Sequence, residues 1–115
     1  MTDNPLNPVQ IEQAIRACAD RIHKGVTIVT NAEAEFRRTD RDYDTAYAKA
    51  YMAYEGPAHE KRYGADLKTM QVREVRDVAE LAFKHAERTA RAVEAELRAW
   101  QSVGASVRTM YGAQQ

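Results

Sequence analysis

Three aspartates at alternate positions are the first group of residues in this sequence that could bind a metal ion. Asp40, Asp42 and Asp44 resemble the start of a calcium-binding loop. Such a loop needs a glycine at its sixth position and a glutamate at its twelfth, where this chain has Thr45 and Tyr51. Alternate positions on a helix also point in different directions, so the three carboxylates do not converge. The pattern therefore predicts no calcium site.

Histidine and cysteine are too sparse to suggest a zinc site. His23, His59 and His85 lie far apart, and no second His or Cys stands at ligand spacing from any of them. The single cysteine, Cys18, lies among apolar helix positions, which predicts a buried small side chain. The sequence has no phosphate-binding glycine loop, dinucleotide fingerprint or nucleophile elbow. We therefore predict no metal, no cofactor and no enzyme activity.

Four tyrosines spaced by three and four residues form a candidate aromatic stripe. On one side of a helix such rings could stack on the bases of a nucleic acid. The favoured alternative is that the rings cover the closed end of a helical hairpin, with their hydroxyls at the rim, as tyrosines do at half-buried positions. The stripe consists of Tyr43, Tyr47, Tyr51 and Tyr54.

The segment WQSVGASVR, residues 100 to 108, is a second candidate interaction site. Small residues such as Gly104 let another helix approach closely, and Trp100 is of the type that anchors interfaces. Two alternatives stay open: a tapered end of an intramolecular helix pair, and phosphate contacts by arginines in a stretch without acidic residues. The candidate residues are Arg98, Trp100, Gln101, Gly104, Arg108 and Tyr111.

These candidates lie on two predicted long helices. The first, residues 7 to 55, begins with Asn7 as N-cap, Pro8 at the first helical position and Gln10 closing a capping box. Apolar residues then recur every seven positions, the pattern of a coiled-coil seam, which continues unbroken through the weak helix sequence of residues 25 to 30, where a bend is left open. The seam residues are Ile15, Ile22, Val29, Phe36, Tyr43 and Ala50, with Ile11, Cys18, Ala32, Ala46 and Ala53 beside them.

The second helix is predicted over residues 69 to 111, with Thr69 as its N-cap. Gly56 and Pro57 end the first helix, and residues 56 to 68 are the predicted connection, with room for one short helix. Residues 1 to 6 and 112 to 115 are predicted as loose ends. The second seam is Val72, Ala79, Ala86, Val93, Trp100 and Val107, with Phe83, Ala90, Leu97, Gly104 and Tyr111 beside them.

Together these features predict one all-α domain over residues 1 to 115, an elongated antiparallel helical hairpin. Helices of this length would run about 60 to 70 Å, and two helices alone seldom close a core, so we expect a homo-oligomer. Basic and acidic residues number 17 each, which gives no net charge to attract DNA or a membrane. Because no apolar run is long enough for a membrane span and no signal peptide is evident, we predict a cytoplasmic protein.

Three strings make the sequence resemble small helical, coiled-coil-like proteins encoded by tailed bacteriophages of actinobacteria. The strings are AYAKAYMAYEG (residues 46 to 56), PAHEKRYGAD (57 to 66) and WQSVGASVR with the Met110-Tyr111 that follows. Such proteins are commonly of unassigned function, and they often look like neighbours of recombination or single-strand DNA handling genes. The resemblance therefore implies a viral accessory protein in the cytoplasm of a bacterial host, but it carries over no functional residues.

Three functions follow as hypotheses. The leading one is a non-enzymatic phage accessory protein that acts by protein-protein interaction and self-association, with a link to recombination or DNA metabolism. The alternatives are direct binding of single-stranded nucleic acid, which the neutral charge disfavours, and inhibition of a host enzyme or defence system. A structural part of the virion is also open. The sequence leaves open the partner, the number of subunits, and whether the seams pair within or between chains.

Overall fold

A computed structural model describes residues 7 to 113 of the chain. Throughout this range the regular structure is helical and contains no β-strand, which confirms the predicted all-α class. The elements are α1 (Pro8–Ala53), a short 3₁₀ helix (Ala58–Glu60), α2 (Lys61–Lys68) and α3 (Met70–Ala113). The loose ends predicted at residues 1 to 6 and 114 to 115 lie outside the described residues, whereas Gly112 and Ala113 extend α3 instead of ending it.

The start of α1 has the predicted Asn7 cap, but the described hydrogen bonds include none from the Asn7 backbone N–H to the Gln10 side chain that would close a capping box. The Asn7 side-chain oxygen accepts a hydrogen bond from the Gln10 backbone N–H at 2.9 Å, and Pro8 is the first helical residue. A cap of this kind satisfies a backbone donor that has no partner inside the helix. The helix continues through residues 25 to 30 despite their weak helix propensity, as the unbroken repeat predicted.

The connection, for which one short helix was left open, contains a 3₁₀ helix followed by the short helix α2. Helix α1 ends at Ala53, two residues before the predicted end, and Pro57 precedes the 3₁₀ helix. Thr69 occupies the predicted N-cap position of α3, and its carbonyl accepts a hydrogen bond from the Arg73 backbone N–H at 3.0 Å. Its hydroxyl makes no capping bond, because it donates to the Ala65 carbonyl at 2.7 Å, and the same residue is the C-cap of α2. Because the hydroxyl bonds back toward α2, Thr69 ends one helix and α3 begins directly after it.

The contacts divide the chain into two compact units, and the prediction of a single domain stays a prediction. The first unit combines the residues up to Ile28 with those from Glu87 onward. Within it, a Cβ atom placed on Gly104 would lie 3.3 Å from Ile11, and the Cys18 thiol lies 3.0 Å from the Glu96 carboxylate. Residue numbers rise along α1 as they fall along α3, so the two segments are antiparallel.

The second unit, Val29–Ala86, holds the bend between the helices. Its α1 and α3 segments are also antiparallel: the Phe36 and Phe83 rings stack at 6.0 Å, and Asp40 pairs with Arg76 at 3.5 Å. Segments of α1 and α3 thus pack against each other within each unit through their predicted seams, which confirms the helical hairpin. The buried seam residues are Ile11, Cys18, Ala79, Ala86, Val93, Gly104 and Val107.

The seams depart from prediction at both ends and at two polar positions. Ala53 and Tyr111, assigned to the seams, are exposed, because Ala53 is the last residue of α1 and Tyr111 lies one turn beyond Val107, the last buried residue of α3. Thr39 and Arg76 occupy seam positions that the apolar pattern skipped, the former almost fully buried and the latter half-buried.

Candidate protein-interaction surface

One face of α2 and α3 carries a row of large apolar side chains that lie in solvent. Its members are separated by four, three, four, four and three residues, which averages 3.6 and places them in one line along a straight helix. Thr69, whose backbone is not helical, separates α2 from α3, so the row consists of one segment on each helix. We call it the outer stripe: Tyr63 (60% exposed), Leu67 (71%), Met70 (56%), Glu74, Val78 (62%) and Leu81 (66%).

The outer stripe faces away from the seam of the same helices. Ala65, Thr69 and Ala79 are buried against the rest of the second unit, and the stripe residues lie roughly half a turn from them. Val75, itself half exposed, widens the stripe beside Glu74. A depression of about 340 Å³ lined by Gln71, Glu74, Val75 and Val78 lies in the middle of this face.

Glu74 is the one charged residue in the outer stripe. Its side chain is exposed and takes part in none of the ion pairs formed among residues 7 to 113. Two carboxylates near it on α3 are engaged, since Asp77 pairs with Arg76 at 3.1 Å and Glu80 pairs with Lys84 at 3.7 Å. A carboxylate without a cation therefore stands in the centre of an exposed apolar row.

Three of the four rings in the predicted aromatic stripe make contacts inside the second unit. The Tyr43, Tyr47 and Tyr51 rings form a ladder with centroids 6.1 and 6.3 Å apart. The guanidinium of Arg76 lies over Tyr43 at 4.6 Å, and the ammonium of Lys61 lies 5.6 Å from the Tyr51 ring. These are intramolecular cation–π contacts, so these three rings contact groups of the same chain.

Tyr54 stands apart from the ladder and closes the bend. Its hydroxyl donates to the Glu60 carboxylate at 3.0 Å, and this bond, together with burial, raises the pKa of Tyr54 above its ordinary value. A Cβ atom on Gly64 would overlap the Tyr54 ring, so glycine is needed where α2 passes this side chain. Burial likewise raises the pKa of Tyr47 within the ladder.

Of the candidate residues near Trp100, some pack inside the first unit and the others are exposed to solvent. Gly104 is buried against Ile11 of the same chain, so its small size serves the intramolecular helix pair in the first unit. Trp100 is half-buried beside it in the seam. A groove of about 380 Å³ lies between the start of α1 and this part of α3. The remaining candidates, Arg98, Gln101, Arg108 and Tyr111, are exposed.

Cys18 and the carboxylates of the described residues form neither a reactive thiol site nor a metal site. The buried Cys18 thiol donates to Glu96, which also pairs with Arg21 at 2.9 Å. The hydrogen bond to Glu96, followed by burial, raises the pKa of the Cys18 thiol and keeps it protonated. Among residues 7 to 113 no three His, Cys, Asp or Glu side chains come close enough to share a metal ion. None of the helices described there is long and apolar enough to cross a membrane.

The outer stripe is the feature that the sequence reading missed. Residues 56 to 68 were assigned to a connection, which separated Tyr63 and Leu67 from Met70, Val78 and Leu81. A helical period that continues from Tyr63 across Thr69 was the available signal. Comparisons of the chain with protein-family models, with curated proteins and with solved structures give no match. The resemblance to phage proteins therefore stays a prediction, and the surface must be interpreted from its own chemistry.

Proposed function

We propose that this protein acts by binding other proteins, with the outer stripe as its contact surface. The supporting observation is the row of five large apolar side chains, each more than half exposed, along one helix face. Single exposed apolar residues are common on protein surfaces, whereas contiguous apolar rows mark sites of interaction. A row with helical period is the form that packs against a helix of a partner.

The hairpin serves this function as a scaffold. Inside each unit the seams of α1 and α3 are occupied by each other, as the Phe36–Phe83 and Gly104–Ile11 contacts illustrate. The outer stripe lies on the other side of α2 and α3 and has no such role in holding the hairpin together. The proposal thus assigns the seam to folding and the stripe to binding.

The wider biological role rests on the resemblance alone. A phage accessory protein that works near recombination or DNA metabolism, or one that inhibits a host enzyme, would both act through such a contact surface. Self-association, with a second copy on the same stripe, is the third form of the proposal. The structure of one chain is compatible with each, and the identity of the bound protein separates them.

A pair of matched variants tests the proposal. The stripe variant carries Leu67→Gln, Val78→Gln and Leu81→Gln. The control carries Val9→Gln, Val26→Gln and Ile28→Gln, three comparably exposed apolar residues of α1. Each variant is tagged and purified from native cells after nuclease treatment, and proteins that accompany it are quantified by mass spectrometry. We expect partners, or untagged copies of the chain, with the wild type and the control but not with the stripe variant. Equal recovery with all three contradicts the proposal.

Single-stranded nucleic-acid binding is the second candidate, supported by one observation at the bend. Tyr51 and Tyr63 are exposed, with Lys61 and Arg62 lying 5.6 and 5.4 Å from their ring centroids. Exposed rings next to cations are what single strands stack on.

Fluorescence anisotropy with an oligothymidine of about 20 nucleotides tests this candidate, because that length spans one such binding site. If the candidate is right, the oligonucleotide binds the wild type, and this binding weakens as salt is added. The double substitution Arg62→Ala with Tyr63→Ala should abolish the binding. The matched pair Arg108→Ala with Tyr111→Ala separates the bend from the basic C-terminal stretch. Absence of binding at low salt rules the candidate out.

A further inference from the structure

The position of Glu74 restricts what can lie on the outer stripe. Leu67 and Met70 precede it, and Val78 and Leu81 follow it, so a helix laid along the stripe would cover its carboxylate. Covering a charge removes water from it, which is unfavourable unless the partner supplies an opposite charge. Glu74 has no cation within its own chain among the described residues, as the ion pairs of the second unit show.

A second copy of the chain does not supply that charge. The outer stripe holds no lysine or arginine, so a second copy offers no cation from its own stripe. When two stripes pair antiparallel from Tyr63 to Leu81, each Glu74 lies opposite Met70 of the other copy, and the two carboxylates lie about one helical turn apart. In this arrangement both carboxylates are covered without a cation, which is unfavourable for a charged group. Glu74 thus acts against pairing of the stripe with itself, in the way that a buried charge excludes wrong partners.

We infer that the occupant of the outer stripe is a helix from a different protein, whose apolar face is interrupted by one lysine or arginine that pairs with Glu74. This inference rests on the proposed function and names the partner's chemistry. The apolar residues on either side of the cation lie against Leu67 and Met70 at one end and Val78 and Leu81 at the other. The ion pair fixes the register of the two helices, because only one alignment joins the charges.

Designed peptides serve as probes, since the natural partner is unidentified. Each is a labelled amphipathic helix of about five turns, to match the stripe. Its apolar face carries leucine, with lysine, glutamine or glutamate at the single central position. Binding to the full chain is measured by fluorescence anisotropy. We expect the lysine peptide to bind about threefold more tightly than the glutamine peptide and about tenfold more tightly than the glutamate peptide, the range for a partly exposed ion pair.

A charge reversal supplies the decisive comparison. Glu74→Lys inverts the order of the lysine and glutamate peptides, whereas Glu94→Lys, at an exposed carboxylate of α3 outside the stripe, leaves the order unchanged. The inference is overturned if the order of peptide affinities is the same for the wild type, Glu74→Lys and Glu94→Lys. If the stripe variant binds none of the peptides in that case, the proposed function still stands.

Two further outcomes also count against the inference. A dimer seen by sedimentation that becomes tighter with Glu74→Gln assigns the stripe to a second copy and overturns the inference. If no peptide binds, no dimer forms and the matched variants recover the same proteins, the inference and the proposed function both fail.

Discussion

Two polar side chains within the seam show how single residues are accommodated between the helices. Thr39 satisfies its hydroxyl on its own helix, donating to the Glu35 and Phe36 carbonyls at 3.1 and 2.9 Å. Arg76 extends from its half-buried position to Asp77 and Asp40, with its guanidinium over the Tyr43 ring. Burial acts to lower the pKa of Arg76, but its bonds to the two aspartates outweigh burial and raise it. Both residues are therefore satisfied where an apolar residue was expected.

Replacing Arg76 tests whether its contacts stabilise the second unit. Arg76→Ala removes the packing of a long side chain, the contact with Tyr43 and the pairing with Asp40. We expect it to lower the free energy of unfolding by about 1 kcal/mol. Arg91→Ala, at an exposed position of α3, is the control and should change stability much less. Urea unfolding followed by circular dichroism measures both, and equal effects would show that Arg76 adds nothing.

The thiol of Cys18 provides a pH-dependent prediction in the first unit. Its pKa is raised, chiefly by the hydrogen bond to Glu96, so folding favours the protonated thiol. The resulting stability is present below the pKa of the unfolded thiol, about 8.5, and is lost as pH rises through the higher pKa of the folded protein.

Glu96→Gln removes the negative charge beside Cys18 and leaves Arg21, which lowers the pKa of the thiol. The midpoint of the Cys18 titration, followed by the NMR chemical shift of its Cβ, should therefore move to lower pH in this variant. Glu94→Gln is the control for loss of an exposed carboxylate and should keep the wild-type profile. If the midpoint is the same in Glu96→Gln as in the wild type, Glu96 is not the cause of the raised pKa of Cys18.

At the scale of elements, the seven-residue repeat predicted the two long helices because one continuous apolar face leaves a simple signal. The repeat could not assign the polar seam positions, since Thr39 bonds within its own helix and Arg76 depends on partners distant in sequence. It also gave no guide to Thr69, whose hydroxyl could bond forward as a cap or back to Ala65. The outer stripe was hidden because Gly56 and Pro57 made residues 56 to 68 look like a connection.

The weakest part of α1 offers a test of helix propensity. Gly25 lies inside the helix, and a Cβ atom there would have nothing within 4 Å. We expect Gly25→Ala to raise the free energy of unfolding by about 0.5 to 1 kcal/mol, because alanine loses less backbone entropy on folding.

Gly104→Ala is the matched substitution, since it adds the same methyl group to α3 where Ile11 lies only 3.3 Å away. At position 104 we expect the gain in helix propensity to be offset by crowding between the new methyl group and Ile11. Urea unfolding compares the two variants. A loss of stability with Gly25→Ala, or an equal gain from both, would contradict this description of the two glycines.

At the scale of the whole molecule, the proposed contact surface and the seam lie on opposite faces of the same helices. Among the described residues, most buried side chains lie along the seams, with Ala65 and Thr69 in α2 and at its end, whereas five large exposed apolar residues lie along the outer stripe. Substituting the stripe should therefore spare the fold. The stripe variant is expected to keep the helical circular dichroism and the melting temperature of the wild type to within a few degrees, since changes at exposed positions usually alter stability by less than about 0.5 kcal/mol. A melting temperature much lower than that of the wild type would place the stripe in the core.

Site-specific photo-cross-linking in native cells tests most directly whether the outer stripe is the contact surface. A benzophenone amino acid replaces Val78 in the stripe or, as control, Val26 in α1, an exposed residue of the same type. We predict a discrete cross-linked product from position 78 that disappears when Leu67→Gln and Leu81→Gln are added, and none from position 26. The same products from both positions, or a product from position 78 that survives those substitutions, would contradict the assignment of binding to this face.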